Sequence, residues 1–328
     1  MPGADARRRR APHNASVLRQ VQRDVPAAGQ LPQRGQTCAA AWTAVVVLIA
    51  LGAAPDAARG DWTVGADAQV RHDNNVGNAA YPADIIEDTV VGGHASLYQV
   101  VAFGDGYSLS AGGDLSGETF HRLDGLSNAT LGGGLALKKK WGLGAFAPWI
   151  RVGASIARSD YHDDYRNASI YRATLAAGRR IDERWNLWAG YTYENRAAAT
   201  QEQQEPGISG DAYSQDSHRL AVNVEYALNQ VLTLEADLSV RHGDIVTTTL
   251  NEYRIYDAAR AIAEDPAFGP EAYAYKLVGT TYGFRVGLNY SPTPHTLIEC
   301  GFQRFDTRAD GGNGYTKSIP EISWSYRY

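Results

Sequence analysis

The chain has 328 residues, 44% of them hydrophobic, with 34 Gly, 19 Tyr and 7 Trp, which excludes disorder and collagen-like structure. Its formal net charge is −5, and an acidic balance argues against nucleic acid as a partner. A mean hydropathy of −0.35 excludes a bundle of transmembrane helices, but it is compatible with a barrel, because only half of each membrane strand is apolar.

Residues 1–60 differ from the rest. Arg7 to Arg10 precede an apolar run from Ala39 to Ala54, about 16 residues long, shorter than the roughly 20 needed for a membrane span. The run suits the core of a cleaved secretory signal, with Ala58-Arg59-Gly60 as a small-x-small cleavage site before Asp61. Removing 1–60 leaves 23 basic against 33 acidic residues. Cys38 leaves with the signal and Cys300 stays alone, so no intramolecular disulfide is expected. The expected organisation is a leader over 1–60 and one domain over 61–328.

From Asp61 onward a period-two alternation keeps returning, the mark of strands with one apolar face. Trp62, Val64, Ala66, Ala68 and Val70 alternate with polar residues in the first strand. The second spans roughly Thr89 to Phe103, and Gly104-Asp105-Gly106 is a tight turn. Tyr107, Leu109, Ala111, Gly113 and Leu115 face one way in the third, and Leu131 to Leu137 in the fourth. Further strands follow at Ile150–Ile156, Tyr171–Ala177 and Leu187–Tyr193. After a polar loop over 197–216 come Leu220–Tyr226 and, past an Asn229-Gln230 turn, Leu232–Val240. The longest loop is expected over 243–275, with a short helix from Glu252 to Glu264 stopped by Asp265-Pro266. Strands at Tyr282–Tyr290 and Ile298–Phe302 precede the last twelve residues. There Ile322, Trp324, Tyr326 and Tyr328 fall at every second position.

These elements predict an all-β fold: a transmembrane antiparallel up-and-down β-barrel of about 12 strands. Short and longer connections alternate, which places both termini on the periplasmic side of a bacterial outer membrane. Closure should pair Ile319–Tyr328 with Trp62–Val70. The pattern resembles outer-membrane β-barrels, whose closing strand ends in an aromatic. That resemblance implies lipid and lipopolysaccharide as surroundings, and assembly-machinery recognition through Tyr328. His72-Asp73-Asn74-Asn75-Val76 and Ile319-Pro320-Glu321-Ile322 also look like the barrels of surface lipoprotein assembly modifiers and polymer-export proteins. The helical repeat domain of the modifiers is absent from this sequence.

By parity, charges of both signs face inward, and the candidate pore-lining residues are Arg151, Arg172, Arg219, Arg285, Asp114, Glu225 and Glu235. One reading is a narrow passive channel for small polar or anionic solutes. Another is a lumen filled with cross-strand ion pairs. An accessory barrel for exporting or anchoring a surface polymer or lipoprotein would use loops 197–216 and 243–275 for a partner. The His-x-Ser-Asn-Gly segment of outer-membrane phospholipases is missing. His94-Ala95-Ser96 and Ser217-His218 are the nearest matches, and Asp160, His162, Asp163 and Asp164 imitate a rim-protease loop. We expect no enzyme, no cofactor and no metal. The acidic loops at 72–75, 84–88 and 162–164 offer oxygens for Ca²⁺ or lipopolysaccharide but are expected as solvated turns, and His72-Asp73-Asn74-Asn75 lacks the alternating spacing of a Ca²⁺ loop.

Overall fold

The computed structural model describes residues 61–204, 206–250 and 253–328; the leader expected over 1–60 lies outside the described residues. The strands are β1 (Asp61–Asp73), β2 (Asp88–Ala102), β3 (Tyr107–Phe120), β4 (Asn128–Lys140), β5 (Trp149–Tyr161), β6 (Ala168–Arg180) and β7 (Trp185–Ala198). They continue with β8 (Gln215–Ala227), β9 (Leu232–Leu250), β10 (Ala261–Glu264), β11 (Ala272–Thr293), β12 (Thr296–Ala309) and β13 (Gly314–Arg327). Successive wall strands pair antiparallel, β9 pairs directly with β11, and β13 closes on β1. The wall is therefore a closed up-and-down barrel of twelve strands. The short β10 lies outside it, paired to β11.

The closing seam pairs Gly65–Arg71 with Glu321–Arg327, and Val64 and Tyr328 exchange backbone hydrogen bonds of 3.1 and 3.0 Å. The ladder ends at Arg71 opposite Glu321, immediately before Pro320, which has no N–H to donate. Carrying the register from Asp67 strand by strand round the wall returns it to β1 about 16 residues further on. With ordinary strand spacings, that stagger tilts the strands by about 45° and gives a backbone diameter of about 25 Å.

Alternation then sorts the side chains. Outward rows such as Val64 and Val70, Leu131 and Leu135, and Leu234 and Leu238 are exposed. Trp62, Tyr107, Trp185, Tyr290 and Tyr328 girdle the end that carries the chain termini. At the opposite end the outward rows turn polar, through His72, Arg158, Asp160 and Arg304. An exposed apolar belt with an aromatic girdle matches a lipid-facing wall.

The connections at the terminus-bearing end are mostly short, at 103–106, 181–184, 228–231 and 294–295, with 141–148 longer. At the other end about half of the loop expected over 243–275 is strand. Asp244–Leu250 of β9 pairs with Ala272–Val278 of β11, so the hairpin continues past the wall as an arm. The helix expected from Glu252 to Glu264 is not formed among its described residues, which begin at Tyr253. Only Tyr253–Tyr256 makes a helical turn, and Ala261–Glu264 is β10, because Tyr273–Lys276 offers it a strand edge. Gly243 and Gly279 lie directly opposite where the arm leaves the wall. Gly243 has φ 141, and a Cβ there would sit 2.2 Å from the Asp216 carbonyl oxygen, so a side chain would block the bend.

Candidate functional site

The arm is bent across the mouth and roofs it. Thr248 N–H donates to the Gly77 carbonyl (2.8 Å), Asn78 Nδ2 to the Val246 carbonyl (3.0 Å) and Thr247 Oγ1 to the Asn78 carbonyl (2.7 Å). These bonds tie β9 to the β1–β2 loop on the other side of the seam. Beyond the arm, Asp265 is fully buried and receives Thr248 Oγ1 at 2.6 Å and the Arg166 guanidinium. Arg166 lies over the Tyr213 and Phe268 rings, 4.7 and 5.7 Å from their centroids. An apolar cluster of Val76, Val90, Phe120, Leu126 and Tyr161, with Phe268 against it, fills the mouth beneath. Loops 197–216 and 243–275 are thus built into this roof rather than projecting from it: Ser209 receives the Ile262 N–H, and Tyr213 donates to the Glu264 carbonyl.

Below the roof is a lumen cavity of about 610 Å³, lined at the terminus-bearing end by Pro294 and His295. Of the candidate pore-lining residues, Asp114, Arg172, Arg219, Glu235 and Arg285 line this cavity. Arg151 and Glu225 share the inward face nearer the termini, outside its lining. Their surroundings differ. Arg285 is held by Glu235 (3.5 Å), Glu321 (2.8 Å) and Glu299. Glu235 also accepts Asn223 Nδ2 and Asn289 Nδ2, each at 2.8 Å. Arg172 binds Glu194 at 2.6 Å, Asp114 accepts the Tyr98 hydroxyl at 3.2 Å, and Glu225 accepts Asn186 Nδ2 at 3.3 Å.

Arg219 stands apart. Its register partner on β9 is Arg241, so two arginines stand opposite each other on the lumen face, and Arg241 Nη2 donates to the Asp244 carbonyl at 2.9 Å. Among the described residues no carboxylate lies within ion-pair distance of Arg219. Like charges directly opposite each other weaken a sheet. The sequence carries the signal for this pair: a hairpin turning at Asn229-Gln230 is symmetric about residue 230 and sets 219 against 241.

Near the termini the lumen is packed. Trp149 and Trp188 are buried with Ala176, and Lys138 Nζ lies 4.6 Å from the Trp149 ring centroid. The rings fit because residue 178 is glycine: a Cβ there would fall 2.6 Å from Trp149 and 2.7 Å from Trp188.

The histidine and acidic motifs have structural partners. His94 Nδ1 sits 2.9 Å from Asp67, which also binds Arg327 at 2.6 Å. Ser217 and His218 face opposite sides of β8, and His218 meets Tyr191 at 2.7 Å. His162 contacts Asp124 at 2.8 Å, whereas Asp163 lies beside Arg166 and Asp265. Burial raises the Asp163 carboxyl to about 6; Arg166 opposes the shift and Asp265 adds to it. Asp73 pairs with Lys317 at 2.8 Å, and Asp88 accepts the backbone N–H of Arg122 and Leu123. These carboxylates clamp loops rather than stand solvated.

No family model matches the chain, and no curated protein matches it by sequence. Solved structures do share its shape. An outer-membrane channel from Pseudomonas putida F1 superposes with a TM-score of 0.52 at 11% identity, over 84% of this chain and 100% of that one. The NanC porin gives 0.42 at 14% identity, over 79% and 98%. The KdgM porin, solved with disordered oligogalacturonate, gives 0.38 at 10%, over 80% and 98%. This chain shares with that Pseudomonas putida channel the fold of a closed antiparallel β-barrel.

Proposed function

We propose that the protein is a passive channel of the bacterial outer membrane for small anionic solutes, with both termini in the periplasm. The observation that carries this reading is the Arg219–Arg241 pair. Two like charges set side by side on a lumen wall are costly unless solvent or a passing anion answers them. Arg219 borders the lumen cavity of about 610 Å³, where such an anion would pass. The exposed apolar belt supports a bilayer location, and the polar outward rim fits lipopolysaccharide at the roofed end. Tyr328, largely exposed at the end of the closing strand, suits contact with the barrel-assembly machinery.

The purified protein should give conductance steps in planar bilayers, with a reversal potential in a salt gradient that shows anion preference. Arg219→Gln should lower the anion-to-cation permeability ratio several-fold and leave the barrel folded. Bilayers that stay silent, or a ratio that Arg219→Gln does not move, sink the proposal.

A further inference from the structure

The outward rim at the roofed end carries charge on several strands, and the strands differ in how that charge is met. On β1 and β5, His72 lies 3.6 Å from Glu87, and Arg158 binds Asp160 at 2.9 Å. On β12, Arg304 and Arg308 share the outward face, with Asp306 between them. Arg308 Nε lies 3.6 Å from Asp306, and its guanidinium sits 5.7 Å from the Tyr282 ring centroid. The Arg304 side chain has neither a hydrogen bond nor an ion pair among the described residues. Its register partners are Phe284 on β11 and Ser318 on β13, and Phe302 lies two residues along on the same face. Both phenylalanines are exposed in the apolar belt. An unmet guanidinium at the edge of a lipid-facing wall is costly unless an anion of the bilayer surface meets it.

We infer that Arg304 and Arg308 form a docking site for a phosphorylated, multiply acylated saccharide lipid of the outer leaflet, the lipid A part of lipopolysaccharide. The guanidinium forks take its phosphates, and its acyl chains lie along Phe284 and Phe302. Four residues along one strand set the two arginines about 13 Å apart at Cα. A disaccharide with a phosphate at each end can bridge such a spacing, whereas phosphatidylglycerol offers a single phosphate. Asp306 does not close the site. It is 53% exposed and meets the Nε side of Arg308, and an exposed pair of this kind holds weakly. The inference rests on the outer-membrane reading for which leaflet lies against the roofed end; it does not require conduction.

Native mass spectrometry of the detergent-solubilised full chain, titrated with diphosphoryl lipid A, tests it. One saturable site per chain is expected. Arg304→Gln should weaken it about tenfold, the loss of one charge-assisted bond, and adding Arg308→Gln should weaken it further. Both side chains are exposed, so the variants should fold. Arg158→Gln removes an outward arginine that has its own acid, and it should leave binding unchanged. Monophosphoryl lipid A should bind the original chain several-fold more weakly. Absent or non-saturable binding overturns the inference, as does a double variant that binds like the original. Phosphatidylglycerol binding as tightly as lipid A overturns the lipid class. A chain that retains lipid A but is silent in bilayers refutes conduction alone. One that conducts but does not retain lipid A refutes this site alone.

Discussion

On the arc of the lumen wall from β11 through β13 to β3, each arginine meets acid. Arg285 is clasped by three glutamates, Arg327 binds Asp67, and Arg71 binds Glu118. On the arc from β6 to β9, Arg219 lies beside Arg241, and Arg172 and Arg196 sit close above with Glu194 as the acid between them. Both arcs come from strands with the same alternation, so the difference lies in pairing rather than composition. The acid-matched arc joins strands to their neighbours and to strands one further on, as Arg71 on β1 does with Glu118 on β3. It holds the wall's shape. The arginine arc gains nothing for the wall from its central pair, and that makes it the side where a solute has something to do.

Stability measurements give the largest expected contrast. Arg285→Ala leaves Glu235, Glu299 and Glu321 without their shared cation and should cost about 3–5 kcal/mol of unfolding free energy. Arg219→Ala should stay within about 0.5 kcal/mol. Urea unfolding of the lipid-reconstituted barrel reads both, and equal losses would erase the distinction. A smaller effect concerns the roof, where Arg166 extends the arginine side upward. Asp265→Asn weakens the acceptor of both Arg166 and Thr248 and should loosen the roof by about 1–3 kcal/mol. Backbone hydrogen exchange should quicken at 162–167 and 253–271 while the wall keeps its protection; uniform quickening would show that roof and wall are one unit.

The smallest effect is a pH dependence. Asp163 has an ordinary pKa of 3.8 and one of about 6 in the closed roof, mainly through burial. The closed roof therefore holds a proton that an opened roof releases between those values. Roof stability should fall as pH rises from about 4 to about 6, then stay level. Asp163→Asn should flatten this slope, as read by hydrogen exchange at 162–167 corrected for the intrinsic rate. A slope that persists in the variant assigns the titration to another group.

Parity along the strands was enough to read the wall, because lipid on one side and water on the other enforce a strict period of two. It placed Arg172, Arg219 and Arg285 on the inward face and expected the last strand to close on the first, and the register there sets Trp324 opposite Ala68. Parity says which way a charge points but not which acid meets it. Arg285 and Arg219 therefore looked alike until register distinguished them. The roof was illegible for a different reason. Where β9 and β11 leave the lipid, outward residues need no longer be apolar, so Gly243-Asp244-Ile245-Val246 reads as loop although the ladder continues. The buried partners of Arg166 and Tyr161 come from segments far apart in sequence, and no local pattern announces them.

The bent arm also says something about the order of events during assembly. Thr247 and Thr248 grip Gly77 and Asn78, and the β13–β1 seam runs between the strands that carry them. Until β13 has docked on β1, Gly77 and Asn78 sit beside one edge of an open sheet, and Thr247 and Thr248 lie three strands in from the other. The roof is therefore a latch that engages only after closure, and once engaged it holds the two edges together from above. Protection of 74–79 and 245–250 against protease should arrive last in refolding, as a marker that the barrel has shut.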